Sequence, residues 1–269
     1  MTPEQIVAEF FSIEAGVLVA TRIKEGLTNA SYRVTGASLP VVVRISNADE
    51  KALLIDRHSE AVVLKLVEQA GIGARVQYNE PEAHVLITEE IIGRHPTKEE
   101  VGSEAGIKRI ATLLSILHSL DTPAGVQSMQ LVELLSHYWR LLGPWHDRDK
   151  ALAIAQESDA VPVRCLCHRD VHHLNLIDDG KRLWLLDWEY AVIGDAYFDL
   201  ASVCCYHEFN EWQRMQLLDE YEVASSPIKG EEKMGMDIDR LNRMCWLFDY
   251  IQELWFAVRH KGIEGERSL

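Results

Sequence analysis

A short stretch in the second half of the chain limits the possible folds more than any other part. It begins HRDVHHLN and ends a few residues later at Asp187. An apolar run follows Asn175, the turn signal Asp-Asp-Gly comes next, and a second apolar run leads to Asp187, a pattern that predicts a β-hairpin. Because a hairpin brings its two ends together, we expect Asn175 and Asp187 to lie near each other, with Asp170 one loop away.

Three oxygen-bearing side chains placed in this way suit phosphoryl transfer. Mg²⁺ needs one or two carboxylate or amide ligands besides phosphate oxygens, and a separate carboxylate accepts the proton of the attacking hydroxyl. The spacing predicts Asn175 and Asp187 as magnesium ligands and Asp170 as the base. Taken singly, each residue is more often a turn-capping residue, but the conjunction of loop, hairpin and terminal Asp is far more specific.

The same residues carry a family resemblance. The His-x-Asp-x-x-x-x-Asn spacing is shared with kinases, but Trp188-Glu189-Tyr190 stands where protein kinases continue with Phe-Gly. Here the chain resembles the aminoglycoside phosphotransferase and choline kinase-like superfamily, and residues 185–201 are especially similar to its choline/ethanolamine and thiamine kinase-like branch. The resemblance implies a small-molecule kinase that uses ATP and Mg²⁺, on a bilobal protein-kinase-like fold.

A nucleotide loop is expected near the N-terminus. A strand, a turn rich in small residues and a second strand succeed one another over residues 17–34, and small residues let backbone N–H groups approach an anion. The segment GLTNASYRV is similar to the nucleotide loop of choline kinase-like proteins, although the Gly-x-Gly-x-x-Gly pattern of protein kinases is missing. The resemblance implies four phosphate-loop residues: Gly26, Thr28, Asn29 and Ser31.

A cation that grips the α- and β-phosphates is expected on the next strand. Arg44 stands where the resemblance places this cation, and its planar guanidinium can bind two phosphate oxygens at once. Its expected partner is Glu60, in a helical stretch with a buried apolar stripe. The alternative is that Glu60 is merely solvated on the helix surface.

The order of the predicted elements indicates an α+β fold. Strands gather before residue 92, and helices dominate after it, apart from the catalytic hairpin. We expect a small antiparallel-sheet lobe for the nucleotide over residues 1–92 and a larger, mostly helical lobe for catalysis and substrate over residues 93–269. The backbone of the linker between them, near residues 88–93, would meet adenine.

Composition and charge exclude several classes of protein. No apolar run reaches the length of a membrane span and the N-terminus lacks a signal-peptide pattern, so a cytoplasmic protein is expected. The net charge of −15 disfavours binding to nucleic acid or anionic membranes. The five cysteines are odd in number and lie in apolar surroundings, which indicates reduced thiols.

Three motifs outside the kinase pattern have structural alternatives. Cys165, Cys167 and His168 have the ligand types of a zinc-dependent hydrolase, but strand alternation places both cysteines on one face and favours burial. His118 is expected to be a hydrogen-bonded core histidine. The resemblance implies that Asp199 starts a helix and hydrogen-bonds the catalytic loop, whereas Asp195 either binds substrate or, as we favour, makes a Gly-Asp turn.

Aromatic residues concentrate in the last third of the chain. Aromatic faces together with a carboxylate recognise quaternary ammonium and other delocalised cations, and an acidic surface attracts them. Because aromatics at helical spacing mostly fill cores, we expect no more than half of the candidates to line the acceptor pocket. The six candidates are Trp188, Glu189, Tyr206, Trp246, Tyr250 and Trp255.

We therefore predict an ATP-dependent kinase whose acceptor is a small cationic alcohol, with choline or ethanolamine first. Thiamine is the alternative, because the aromatics at residues 246–255 depart from the offsets of choline kinases. An aminoglycoside would call for a more acidic, less aromatic wall, and the presence of all three metal and base residues argues against a non-catalytic pseudokinase. The identity of the acceptor, any regulation and the choice between monomer and homodimer are left open.

Overall fold

An antiparallel sheet occupies the first third of the chain and helices dominate the remainder. The computed structural model describes residues 1–25, 29–37, 40–46, 50–225 and 236–266. Its helices and strands, in chain order, are α1 (Pro3–Phe11), β1 (Val19–Glu25), β2 (Asn29–Thr35), β3 (Val41–Ser46), α2 (Glu50–Leu53), α3 (Arg57–Gln69), β4 (Val76–Glu80), β5 (Val85–Glu89), α4 (Lys98–Val101), α5 (Glu104–His118), α6 (Leu131–Leu142), α7 (Arg148–Asp159), β6 (Cys165–Cys167), β7 (Leu176–Asp178), β8 (Leu183–Leu185), β9 (Val192–Gly194), α8 (Ala196–Tyr206), α9 (Glu211–Ser225) and α10 (Ile238–Glu266).

The predicted α+β organisation is confirmed: a five-stranded antiparallel sheet comes first and a mostly helical region follows. The division at residue 92 stays a prediction. Of the predicted phosphate-loop residues, Gly26 and Thr28 lie outside the described residues.

The sheet positions the residues predicted to contact phosphates on two neighbouring strands. Its strands lie in the order β1-β2-β3-β5-β4, and each neighbouring pair is antiparallel. Strand β2 begins at Asn29, earlier than the sequence pattern predicts, because Asn29 pairs with Ser46 of β3. In the same register Ser31 lies opposite Arg44. Asn29 and Ser31 are therefore strand residues and do not belong to a free-standing turn.

Helix α1 covers one face of this sheet. Thr2 caps the helix, since its side chain accepts a hydrogen bond from the backbone N–H of Gln5 and the Gln5 side chain binds back to the Thr2 backbone. The buried Val7 belongs to the same apolar cluster as Val34 and Val43 of the sheet. Burying each such side chain stabilises the fold by roughly 1.5–3 kcal/mol.

The helical region has its own apolar core, built largely as the helical spacing predicts. In α5, Ile110, Leu114 and Leu117 are fully buried. The apolar spacing predicts this helix over residues 108–120, but α5 begins at Glu104 because Ser103 caps it by accepting a hydrogen bond from the backbone of Gly106. Within the described residues, no helix combines the length and apolar character needed to cross a membrane.

Two small antiparallel pairs of strands hold the catalytic segment. The predicted hairpin is confirmed: β7 pairs with β8, with Leu176 opposite Leu185. Strand β6, just before the catalytic loop, pairs with β9, which follows the hairpin. The two ends of the catalytic segment are thus tied to each other by backbone hydrogen bonds.

Candidate active site

Asp170, Asn175 and Asp187 line one cavity of about 360 Å³. The sheet contributes to the same cavity through Asn29 and Ser31. The structure therefore brings together the predicted base, the two predicted metal ligands and two of the residues predicted to contact phosphates. Further walls come from α8 and α10.

Asp170 is held in place by three side chains. The Tyr206 hydroxyl donates to its Oδ1 at 2.6 Å, and the amide nitrogen of Asn175 donates to its Oδ2 at 3.0 Å. Nε2 of His172 lies 3.5 Å from Oδ2. Burial works to raise the pKa of Asp170, but the interactions with His172 and Tyr206 outweigh it and the pKa is lowered. The carboxylate is thus charged and oriented at neutral pH.

The ends of the hairpin bring Asn175 and Asp187 to this carboxylate, as the sequence predicts. The backbone N–H of Leu186 donates to the Asn175 carbonyl at 2.8 Å. The Asn175 side-chain nitrogen is turned toward Asp170, so its Oδ1 is the atom able to bind a cation. Asp187 has φ = 66°, an uncommon left-handed conformation for a residue other than glycine. A carboxylate oxygen and an amide oxygen are hard donors that fit Mg²⁺.

A buried carboxylate on α8 fixes the catalytic loop. Oxygens of Asp199, which is fully buried, accept hydrogen bonds from the backbone N–H groups of His168 at 2.8 Å and Arg169 at 2.7 Å. His118 adds a third contact at 3.0 Å, and its other ring nitrogen lies 2.8 Å from the hydroxyl of Tyr221. The core-histidine interpretation of His118 is confirmed. Burial works to raise the pKa of Asp199, but these partners lower it.

Asp195, and not Asp199 as expected from the sequence, caps the N-terminus of α8. Asp195 is the N-cap of α8, since its side chain accepts from the backbone N–H of Tyr197, whereas Asp199 lies inside the first turn. Asp195 also binds Ser158 at 2.9 Å and Arg240 at 2.6 Å, and it does not line the cavity. The hydrogen bonds of Asp199 to the loop are present as expected, but the prediction that it starts the helix is wrong.

The predicted pairing of Arg44 with Glu60 is present. Two parallel hydrogen bonds of 2.6 and 2.7 Å join the guanidinium to the carboxylate, and Arg44 also lies 3.3 Å from Asp187. The alternative of a solvated Glu60 is wrong, because this residue is only 2% exposed. Burial works to lower the pKa of Arg44, but Glu60 and Asp187 raise it, so the cation stays charged. Its role in binding phosphate stays a prediction.

A second buried arginine, which the sequence analysis missed, links this pair to the catalytic segment. Arg57 contacts Glu60 at 2.8 Å, Glu50 at 2.7 Å and Glu189 at 3.0 Å. Its position one turn before Glu60 on α3 was the available signal, because residues three apart share a helix face. The network continues to Asn29, whose side-chain nitrogen donates to Glu189 at 2.9 Å.

Glu189 therefore differs from the free carboxylate that was expected to attract a cationic acceptor. Its carboxylate lines the cavity, but Arg57 and Asn29 already bind one of its oxygens. A carboxylate compensated in this way attracts a cationic substrate less than a solitary one would. Recognition of a cationic acceptor would then depend chiefly on aromatic faces.

Half of the six candidates for the acceptor pocket line the cavity: Glu189, Tyr206 and Trp255. Trp188 is 2% exposed and packs edge-on against His168, with its indole N–H bound to a backbone carbonyl. Trp246 and Tyr250 stack on each other away from the cavity, at 5.3 Å between ring centroids. The expectation was that no more than half of the candidates would line the pocket, because helical spacing does not reveal which face of a helix meets a cavity and which meets the core.

The zinc alternative gains no support from its predicted ligands. The sulfur atoms of Cys165 and Cys167 are 3.8 Å apart, on one face of β6 as predicted. The Nε2 of His168 instead lies 2.8 Å from the carbonyl of Leu186, and the histidine near the cysteines is His118. Both ring nitrogens of His118 already have hydrogen-bonding partners, so burial of the thiols remains the simpler account.

Comparison with known proteins identifies relatives of the whole fold and of part of the sequence. A sequence profile of the phosphotransferase enzyme family matches residues 19–236. Thiamine kinases from two Escherichia coli strains, O17:K52:H18 UMN026 and K12 DH10B, are 36% and 35% identical over 118 residues. That match spans 42% of this chain and only 41% of each relative.

Solved structures match over most of the chain. The choline kinase LicA from Streptococcus pneumoniae superposes with a TM-score of 0.76 at 21% identity, covering 96% of this chain and 91% of LicA. A choline/ethanolamine kinase family protein from Mesorhizobium loti gives a TM-score of 0.69 at 22% identity, covering 97% and 87%. At this level of identity the similarity establishes the fold, and the prediction of a kinase-like fold is confirmed.

Proposed function

This chain belongs to the phosphotransferase enzyme family, and from that membership we propose that it transfers the γ-phosphate of ATP to the hydroxyl of a small cationic alcohol. The observation that carries the proposal is that Asp170, Asn175 and Asp187 line one cavity together with aromatic side chains. A base, two hard oxygen ligands and an aromatic pocket are the parts that phosphorylation of such an alcohol requires.

We propose a task for each residue. Asp170 accepts the hydroxyl proton while the alcohol oxygen forms its bond to the γ-phosphorus and the bond from phosphorus to ADP breaks. Tyr206 and Asn175 orient this carboxylate through their hydrogen bonds. Asn175 and Asp187 would hold Mg²⁺, which when bound would supply positive charge to offset that of the phosphates. Arg44, held by Glu60, would contact the phosphates as a charged group that cannot be deprotonated.

Choline or ethanolamine is the first acceptor we propose. Tyr206 and Trp255 present aromatic surface beside Asp170, where a cationic alcohol would place its hydroxyl. Such faces attract an ammonium group by about 0.5–2 kcal/mol. The solved choline and ethanolamine kinases share the fold of this chain, which makes these alcohols the natural first substrates to assay.

Thiamine is the second candidate, for two reasons. The curated relatives that match this chain in sequence are named thiamine kinases. In addition, the compensation of Glu189 by Arg57 favours a delocalised cation held by aromatic faces over a compact ammonium that needs a carboxylate. Both acceptors are cationic primary alcohols, so the chemistry of the site is the same.

ATP turnover with choline, ethanolamine and thiamine tests the proposal directly. We expect ADP release that depends on one of these alcohols and on Mg²⁺. Asp170→Ala should lower kcat by about 10²–10⁴-fold, as removal of a general base does. Asp121→Ala, in an exposed loop, is the matched control and should keep the wild-type rate. Full activity of Asp170→Ala would remove the base from the mechanism.

We also propose where and with whom the protein acts. The five cysteines are free thiols, as expected in the reducing cytoplasm, where ATP is supplied. With a net charge of −15, the expected partner is the small-molecule substrate and neither nucleic acid nor an anionic membrane.

A further inference from the structure

Arg169 lies between the residues that position and perform the proposed chemistry, yet the mechanism above does not use it. Its backbone has φ = 70°, and its N–H is bound to Asp199. The side chain lines the cavity, with the guanidinium carbon 4.6 Å from the ring centre of Phe198. One of its nitrogens, Nη1, lies 3.3 Å from the sulfur of Met129, which is a weak acceptor.

Arg169 differs from the other two arginines around the catalytic site in its lack of a counterion. Arg44 and Arg57 each contact carboxylates at 3.0 Å or less. Among the described residues, no carboxylate lies within ion-pair distance of the Arg169 guanidinium. Burial correspondingly lowers the pKa of Arg169. A guanidinium that, in the described part of the chain, contacts a thioether and a ring but no carboxylate is costly to keep in a cavity unless a ligand supplies an acceptor.

The surroundings of Arg169 define what such a ligand must offer. Met129, Tyr138 and Phe198 line the cavity around it and provide apolar and aromatic surface. The Gln127 side chain also lines the cavity and could contribute a polar contact. A planar or ring-bearing group that carries a lone pair would stack on the aromatic surface and accept hydrogen bonds from the guanidinium fork.

We propose that Arg169 is a specificity-determining residue that binds a hydrogen-bond-accepting group of the acceptor alcohol, such as a ring nitrogen or a carbonyl or carboxylate oxygen. The inference rests on the proposed kinase function and narrows its substrate class: it reverses the order of the two candidates and places thiamine before choline and ethanolamine. The acceptor has two recognised ends: its hydroxyl lies at Asp170, and an electron-rich group lies at Arg169. Choline and ethanolamine offer no such second group beyond their hydroxyl and ammonium, whereas the aminopyrimidine of thiamine does.

The test compares acceptors that have and lack the second group, in the wild type and in Arg169→Met. Methionine keeps the length and apolar packing of the side chain but removes charge and donors. The acceptors are thiamine, choline and 5-(2-hydroxyethyl)-3,4-dimethylthiazolium, a truncated thiamine that keeps the cationic ring and lacks the pyrimidine, called below the truncated thiazole. Arg148→Met is the matched control, because Arg148 also lies over an aromatic ring, that of Trp139, but does not line the cavity.

The wild type is expected to phosphorylate thiamine with a higher kcat/KM than choline or the truncated thiazole. In Arg169→Met, the KM for thiamine should rise by about 10- to 100-fold, as expected for loss of charge-assisted hydrogen bonds. The KM values for ATP, choline and the truncated thiazole should change by less than about threefold. Arg148→Met should behave as wild type with every acceptor.

Two outcomes would overturn the inference while leaving the kinase function intact: highest efficiency with choline, or an equal effect of Arg169→Met on all acceptors. An equal effect on all acceptors would show that Arg169 supports the catalytic loop and does not bind the acceptor. Arg169→Lys separates these roles further, since it keeps the charge but not the planar fork, and specificity should be restored only in part. Absence of Mg-ATP binding by calorimetry in the wild type would reject the kinase function itself, and the role of Arg169 with it.

Discussion

The hydroxyl of Tyr206 donates a 2.6 Å hydrogen bond to Oδ1 of Asp170. The phenol belongs to the last residue of α8, whose first turn holds the catalytic loop through Asp199. Both ends of a single helix thus act on the proposed base: one end fixes the backbone before Asp170, and the other orients its carboxylate.

Replacing this phenol should shift the pH dependence of catalysis. The pKa of Asp170 is lowered in part by the hydrogen bond from Tyr206, so Tyr206→Phe should raise it. Because the base must be deprotonated, the acid limb of the kcat profile should move to higher pH. At neutral pH the carboxylate is charged in both proteins, so the fall in rate there, roughly threefold to tenfold, reports the lost orientation of the base. Profiles of kcat from pH 3.5 to 8 measure both effects. Tyr78→Phe, on β4 and outside the cavity, is the control, and an unshifted acid limb in Tyr206→Phe would contradict the assignment.

The metal requirement should depend on Asp187. Asp187→Asn keeps the size of the side chain but removes the negative charge that a divalent cation prefers. We expect the Mg²⁺ concentration for half-maximal activity, at saturating ATP, to rise by about tenfold or more. Asp179→Asn, in the turn of the same hairpin, should leave the requirement unchanged. Identical Mg²⁺ titrations for the two variants would exclude Asp187 as a ligand.

Breaking the Arg44–Glu60 pair should affect both stability and nucleotide binding. Glu60→Gln leaves two buried guanidinium groups without a shared carboxylate, which should lower the free energy of unfolding by about 3 kcal/mol. Loss of the positioned cation should raise the KM for ATP about tenfold. Urea denaturation and ATP titration measure the two effects.

A matched pair on the surface provides the control. Arg94 and Glu100 form the same bidentate arrangement, but their side chains are 60% and 45% exposed. Glu100→Gln should therefore cost much less stability than Glu60→Gln and leave the KM for ATP unchanged. Equal losses in the two variants would show that burial does not set the strength of the Arg44–Glu60 contact.

The contribution of His118 to stability should decrease as the pH rises. Its pKa is raised in the folded protein, because the interaction with Asp199 outweighs the opposing effect of burial. A raised pKa stabilises the fold fully below the unfolded value of about 6.5 and ceases to do so as the pH passes the folded value. The difference in unfolding free energy between wild type and His118→Gln should therefore be larger at pH 5.5 than at pH 9, by about 1–2 kcal/mol. Urea denaturation at the two pH values measures it, with the exposed His58→Gln as control; a difference independent of pH would contradict the ion pair.

The catalytic segment was predictable because its signals are local. The hairpin follows from apolar runs around an Asp-Asp-Gly turn, and it alone brings Asn175 and Asp187 to the same cavity. The bounds of α6 follow directly from the helical spacing of its apolar residues. In such segments, the residues that decide the structure lie within a few positions of each other.

The rest of the site depends on contacts between distant parts of the chain. Arg57 and Asn29 meet Glu189 across 132 and 160 positions, and no periodicity in the sequence encodes those pairs. Asp195 caps α8 in place of Asp199, although both stand at the start of the helix, because the Asp199 carboxylate is turned to the backbone of the catalytic loop. The aromatics of α10 likewise divide between core and cavity according to the packing of neighbouring helices.

The pairing of β6 with β9 has a consequence for control of the proposed enzyme. After Asp187 the chain reaches the capping residue Asp195 almost at once, and β9, within that interval, is fastened to the strand that precedes the base. Such a short, tethered connection leaves no segment between Asp187 and Asp195 that could swing over the site or withdraw from it after covalent modification. We therefore expect turnover to follow the supply of the alcohol and of ATP, with no control through a rearrangement of this connection.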